Sequence, residues 1–193
     1  MNDSDRKTDL RVVKTLNSLS GALSELLCEK DPDSITVKEI CDRAQTRKAT
    51  FYNHFSDKND LLAYIIRTQM EISEEQGAVY DDPDDPSVYY SDILLYLMDF
   101  LEKNEKMMQH IVKSGSRTVS SIYKEEMEPV FNKRLKAEQK KENGRIHLPE
   151  MLSAVISEMI IQIAQYWFMN KDTITKKEAA LQLKVFIKPL FEK

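Results

Sequence analysis

Four glycines in 193 residues constrain the fold of this chain more than any other single feature. An average protein carries about 7% glycine. Nucleotide-binding sheets and phosphate loops need glycine where the backbone approaches a ligand closely, so such architectures are disfavoured and long amphipathic helices are favoured. The apolar spacing agrees. Between Leu10 and Leu27, residues Val12, Leu16, Leu19, Leu23 and Leu26 fall four, three, four and three apart, which is one face of a helix. Cys28 lies at its end. Asp31-Pro32-Asp33 stops it, because proline lacks an amide donor and disfavours a helical residue before it.

Thr36 followed by Glu39 forms a capping box that opens a short helix with Val37, Ile40, Cys41 and Ala44 facing inward. Gln45-Thr46 interrupts it, and a second short helix is expected over about residues 47–53. His54-Phe55-Ser56 is a break before a new start at Asp57, with Leu61, Leu62, Ile65 and Ile66 on the helix that follows into the mid-70s. Glu71 to Asp85 is acidic throughout. Its end, Asp81-Asp82-Pro83-Asp84-Asp85-Pro86, reads as a solvated linker. A calcium or magnesium site is the sharper reading, but EF-hand spacing and its central glycine are absent.

Helical stripes resume at Tyr90, Ile93, Leu94, Leu97, Met98 and Leu101, then at Met107, Met108, Ile111 and Val112, with a break near Gly115. Val119, Ile122, Tyr123, Met127, Val130, Phe131 and Leu135 form a third, with Pro129 inside it as a kink or boundary. Residues 133–145 hold six basic side chains around Asn143-Gly144 and read as an exposed helix end and turn, in preference to a second nucleic-acid contact. Residues 151–168 are apolar on more than one face, and a last helix is expected over about 176–190. A helix apolar on both sides is buried on both sides, and in a chain this short one side can belong to another subunit.

The formal charge of −4 excludes bulk basicity as a reason to bind nucleic acid, so such binding needs a local basic surface. Residues 36–58 hold five basic against three acidic residues. Cys28 and Cys41 do not make a disulfide scaffold. A redox pair is conceivable, but each sits on an apolar face as a small core residue would. The polar N-terminus lacks a signal peptide and no run approaches 18 uninterrupted apolar residues, so a cytoplasmic protein is expected. Phosphate-loop, nucleophile-elbow and zinc-protease motifs are missing, and His54, His110 and His147 lie far apart, so neither enzyme chemistry nor a cofactor or metal is expected.

Two short helices separated by about three residues, between two longer ones, match a helix-turn-helix. Such a unit must place donors on phosphates at its edges and small or polar groups toward base edges. Arg47, Lys48 and Thr50 supply donors, Ala49 leaves room for close approach, and Tyr52 and His54 add donors at the far end. Lys58 begins the next helix. Phe55 is expected in the core and Phe51 to be partly buried.

Residues 36–62, TVKEICDRAQTRKATFYNHFSDKNDLL, resemble the DNA-binding segment of the TetR/AcrR transcriptional regulators. The markers are Thr36, Ile40, Ala44, Thr50, Phe51, Tyr52, His54, Phe55, Lys58 and Leu61-Leu62. With the preceding helix, the resemblance covers the first third of the chain. It implies an all-α fold: a three-helix DNA-binding domain over 1–66 and a helical effector-binding and dimerisation domain over 67–193. It also implies that Thr36, Thr50, Tyr52, His54 and Lys58 contact phosphates while Arg47, Lys48 and Ala49 face bases. Two positions depart from the family pattern. Gln45 stands where the turn usually has glycine and must adopt the turn conformation at some cost. Arg47 stands where Ser or Asn usually caps the recognition helix, which makes Thr46 the candidate cap and suggests a guanine contact for Arg47.

The resemblance further implies a homodimer, joined here through about 149–191, that binds a palindromic operator as a repressor and releases it for a small-molecule effector. Tyr96, Phe100, Met107, Met108, His110, Tyr123, Tyr166 and Trp167 are the candidate pocket residues, each also explicable as core. The alternative is a co-regulator of the same fold that acts through a protein partner with little or no DNA binding.

Overall fold

The computed structural model describes residues 3–75, 82, 85–114, 116–141 and 146–192. Regular structure among them is helical: α1 (Asp3–Leu27), α2 (Val37–Arg43), α3 (Lys48–Tyr52), α4 (Lys58–Glu75), α5 (Ser87–Lys103), α6 (Glu105–Ser114), α7 (Thr118–Gln139), α8 (Pro149–Met169) and α9 (Lys176–Ile187). Single 3-10 turns lie at Pro32–Ser34 and Lys188–Leu190. Most of the acidic linker, Gly115 and the Asn143-Gly144 turn lie outside the described residues. The chain divides into two compact units. One comprises residues up to Ile66 with Lys106–Val119, and the other Arg67–Glu105 with the residues from Ser120 on.

The first unit is built on the α1 stripe. Leu19, Leu23, Leu26 and Leu27 pack in a core with Ile35, Ile40, Cys41, Phe51, Phe55, Leu61 and Leu62, all buried, and Met107, Met108 and Ile111 of α6 are buried in the same unit. Grouping 106–119 here is not visible in any local periodicity. Phe51 differs from expectation: it is fully buried rather than partly so. Its ring lies 5.8 Å from that of Phe55, which in turn lies 5.5 Å from Tyr64. A five-residue helix has one inward position per turn, and burying an aromatic ring there contributes roughly 1.5–3 kcal/mol, so Phe51 takes it.

In the second unit α5, α8 and α9 pack on one another. Tyr90 is buried against Phe131 of α7, with ring centroids 5.1 Å apart, and stacks on Phe191. Helix α7 continues through Pro129, which occupies an exposed position. The apolar sides of α8 have different fates. Ser153, Ile156, Ser157, Ile160, Ile161, Ala164, Trp167 and Phe168 are buried, with the Ser157 hydroxyl donating to the Ser153 carbonyl at 2.8 Å. Leu148, just before α8, and Met151, Val155, Tyr166 and Met169 within it are exposed, as are Leu181, Val185 and Phe186 of α9. By length and composition α8 also suits a membrane span (mean hydropathy 1.2), although 44% of that stretch is buried within the protein.

Candidate nucleic-acid interface

Local capping chemistry sets the start of α2. Thr36 Oγ1 accepts from the Glu39 amide at 3.3 Å, and Glu39 Oε2 accepts from the Thr36 amide at 2.9 Å, so two amides without helical partners are satisfied reciprocally. The Thr36 hydroxyl donates its proton to the same carboxylate oxygen. Lys30 completes the arrangement by pairing with Glu39 Oε1. The hydrogen bond from Lys30, then those from Thr36, hold the Glu39 carboxyl down at about 2.

The end of α2 is a Schellman motif. The Thr46 amide donates to the Cys41 carbonyl at 2.9 Å and the Gln45 amide to the Asp42 carbonyl at 3.3 Å. Gln45 has φ of 52°, the left-handed conformation that its position in place of glycine demands. Helix α3 then starts at Lys48 with Arg47 as its N-cap, and no side chain caps it. The cap expected from Thr46 is corrected: its hydroxyl donates back to the Ala44 carbonyl at 3.2 Å. The tight turn aims Thr46 at α2 and away from the α3 amides.

Burying Phe51 orients the rest of α3. Arg47, Lys48, Ala49 and Tyr52 are exposed, with Tyr52 at 57%, while Thr50 and His54 are half-buried. The Tyr52 ring packs edge-on to Phe51 at 5.4 Å, leaving its hydroxyl end outward. At the far side, Asp57 Oδ1 caps α4 by accepting from the Asn59 and Asp60 amides at 2.7 and 2.9 Å.

The five basic residues of the segment are not equivalent. Arg43 forms a bidentate pair with Glu29 (2.9 and 2.8 Å) and a further contact with Glu25 at 3.3 Å, tying α2 to α1. Lys58, expected to present its ammonium outward, instead donates to the carbonyls of Pro32 (2.8 Å), Asp33 (2.9 Å) and Ile35 (2.9 Å). Asp33 is itself held by the Thr118 hydroxyl at 2.6 Å. No ion pair among the described residues engages Lys38, Arg47 or Lys48, all of which are exposed. Lys38 was not singled out in the sequence, although its place in the first turn of α2 beside the capping box marks it. No local signal could have revealed the Lys58 contacts, because its acceptors lie 23 to 26 residues away.

The candidate pocket residues are divided between the two units. Met107, Met108 and His110 belong to the first unit, and Tyr96, Phe100, Tyr123, Tyr166 and Trp167 to the second. Tyr166 is 64% exposed, which corrects its assignment to an interior pocket, since it lies on the outward face of α8. Within the second unit, Tyr96 donates to the Gln69 carbonyl at 3.2 Å, burial pushes the Tyr123 phenol up, and the buried Trp167 Nε1 has no acceptor among the described residues.

Comparison with known proteins agrees with this geometry. Residues 21–65 match the family of bacterial regulatory proteins of the tetR type, and residues 89–189 match a transcriptional regulator C-terminal region of the same class. A Bacillus subtilis HTH-type transcriptional regulator, YxbF, is 36% identical over 66 residues. That match spans 34% of this chain and 17% of the relative's length. Among solved structures, a TetR-family regulator from Syntrophomonas wolfei covers 92% of this chain and 94% of its own, at 18% identity and a TM-score of 0.60. A TetR regulator from Streptococcus agalactiae covers 95% and 99%, at 20% identity and 0.59. NalD, the secondary repressor of the MexAB-OprM multidrug efflux pump in Pseudomonas aeruginosa, covers 92% and 94%, at 18% identity and 0.58. At these identities the solved structures speak to fold alone, whereas the sequence matches cover both parts of the chain. The chain belongs to the TetR family of transcriptional regulators.

Proposed function

We propose that the protein is a sequence-specific DNA-binding repressor that leaves a palindromic operator when a small-molecule effector binds. The observation that carries this reading is the division of α3 into a buried face, Phe51, and an exposed face bearing Arg47, Lys48, Ala49 and Tyr52. Its two cations have no ion-pair partner among the described residues. In this reading Arg47, Lys48 and Ala49 meet base edges, while Thr50, Tyr52 and His54 hold phosphates on either side, joined by Thr36 once its hydroxyl turns from Glu39.

Binding of a palindrome by two copies joined through α8 and α9 requires their α3 helices about 34–36 Å apart, one turn of duplex. The exposed Met151, Val155, Tyr166 and Met169 of α8 and Leu181, Val185 and Phe186 of α9 support that interface. Residues 1–66 then act as the DNA-binding domain and 67–193 as the effector and dimerisation domain. An effector regulates only if its affinity differs between the DNA-bound and released conformations. The setting we assign is the cytoplasm.

Selection of bound duplexes from a random pool at near-physiological salt tests this reading, with enrichment of a palindrome expected. The second reading is a co-regulator acting through a protein partner. It is favoured by the internal engagement of Arg43 and Lys58, which leaves a smaller basic surface than the sequence suggests. A folded, dimeric protein that enriches no duplex would establish it over the first.

A further inference from the structure

Lys58 is the one cation of the segment whose three protons all meet acceptors inside the first unit. Those acceptors are the carbonyls at and just beyond the 3-10 turn at 32–34, of which the Pro32 carbonyl also accepts from the Ile35 amide at 3.3 Å. An ammonium matches three convergent oxygens as a compact point charge, whereas a planar guanidinium does not. The Ile35–Thr36 peptide is gripped at both ends. Its carbonyl accepts from Lys58 at 2.9 Å, and its N–H donates to Glu39 at 2.9 Å. That peptide sets the orientation of Thr36, the cap that opens α2.

We infer that Lys58 is a positioning residue for DNA binding, which locks the 32–36 turn and thereby aims Thr36 and the start of α2, without itself holding a phosphate. The inference rests on the DNA-binding reading above for its functional consequence, but the clamp itself is independent of DNA. Thr36 carries no charge, so a residue acting through it alters affinity without altering the number of counterions released.

The experiment is a double-mutant cycle on the full-length protein with the selected duplex, using Lys58→Met, Thr36→Val and both together over a salt series. Lys58→Met is expected to weaken binding about tenfold, in line with couplings between interacting neighbours. The slope of log affinity against log salt should stay the same, and Thr36→Val should cost little in the Lys58→Met background. Lys58→Arg, which keeps the charge, should bind like Lys58→Met. A slope smaller by about 0.9 per protomer would mean that Lys58 neutralises a phosphate and overturns the inference. Additive losses would overturn it as well, because Lys58 would then not act through Thr36. Should Lys58→Met fail to fold, Lys58→Arg takes its place in the cycle. Amide exchange at Thr36 without DNA gives a separate readout: loss of the clamp should speed it, and unchanged exchange would refute the clamp. Failure of the wild-type protein to select any duplex would instead refute the DNA-binding reading and leave the exchange result standing.

Discussion

Replacing Gln45 with glycine should stabilise the protein. Gln45 occupies the left-handed position of the Schellman motif at φ of 52°, and its side chain is exposed without a hydrogen bond among the described residues. Truncation therefore removes no contact, and the change acts on the backbone alone. A residue with a Cβ pays about 1–2 kcal/mol to enter that region. Glycine avoids this but loses about 0.5–1 kcal/mol more chain entropy on folding. The expected net gain is about 0.5–1 kcal/mol, or roughly 1–4 °C in Tm for a chain of this length. Far-UV circular dichroism in urea is the suitable assay, because the single tryptophan, Trp167, lies in the second unit and reports on the wrong region. The midpoint should rise with an unchanged m value. Gln45→Ala should match the parent, since it pays the same φ penalty, and the β-branched Gln45→Val should be worse. Glycine no better than alanine, or valine as stable as glutamine, would refute the reasoning.

Arg47→Ala should relax preference at one base position per half-site by about 1–3 kcal/mol in duplex selection while changing random-DNA affinity little; equal losses on both would remove Arg47 from base reading. Tyr52→Phe should weaken operator and random DNA alike, by about 1 kcal/mol for one lost hydrogen bond, in titrations at fixed salt. Glu39 is held at about 2 in the folded protein against 4.5 in the unfolded chain. Its depressed value contributes stability that is present above about pH 5 and is lost as pH falls from 4.5 toward 2. Urea midpoints across that window should therefore decline less steeply for Glu39→Gln than for the parent. Val155→Asp puts a charge on the outward face of α8 without touching the core. It should shift sedimentation from a dimer toward the 22.5 kDa monomer, and an unmoved dimer would place the interface elsewhere.

Much of this architecture is local and therefore legible in the residues themselves. The three-four spacing of α1, which ends at Leu27 ahead of Pro32, the Thr36–Glu39 box, the proline that opens the 3-10 turn and the strained turn at Gln45 each depend on side chains within a few positions of one another. Their energetics are set by neighbouring backbone amides and by φ, which sequence order already determines. The same holds for α3 as a short helix bearing Arg47 and Lys48. The α3 N-cap was less legible, because Thr46 and Arg47 are adjacent and only the turn geometry decides which one has cap dihedrals.

What tertiary structure alone decided is which charged groups remain available and which apolar faces remain uncovered. Arg43 and Lys58 look like Arg47 and Lys48 in the sequence. Folding brings Glu29 and the carbonyls of the 32–35 turn against the first two and leaves the latter two exposed. Tyr166 and Trp167 are neighbours in the chain, yet one is 64% exposed and the other buried, because α8 packs one side against its own unit. Periodicity marks a residue as apolar or charged and places it on a face. The partner that meets that face comes from far along the chain, and its approach is governed by packing that no local pattern encodes.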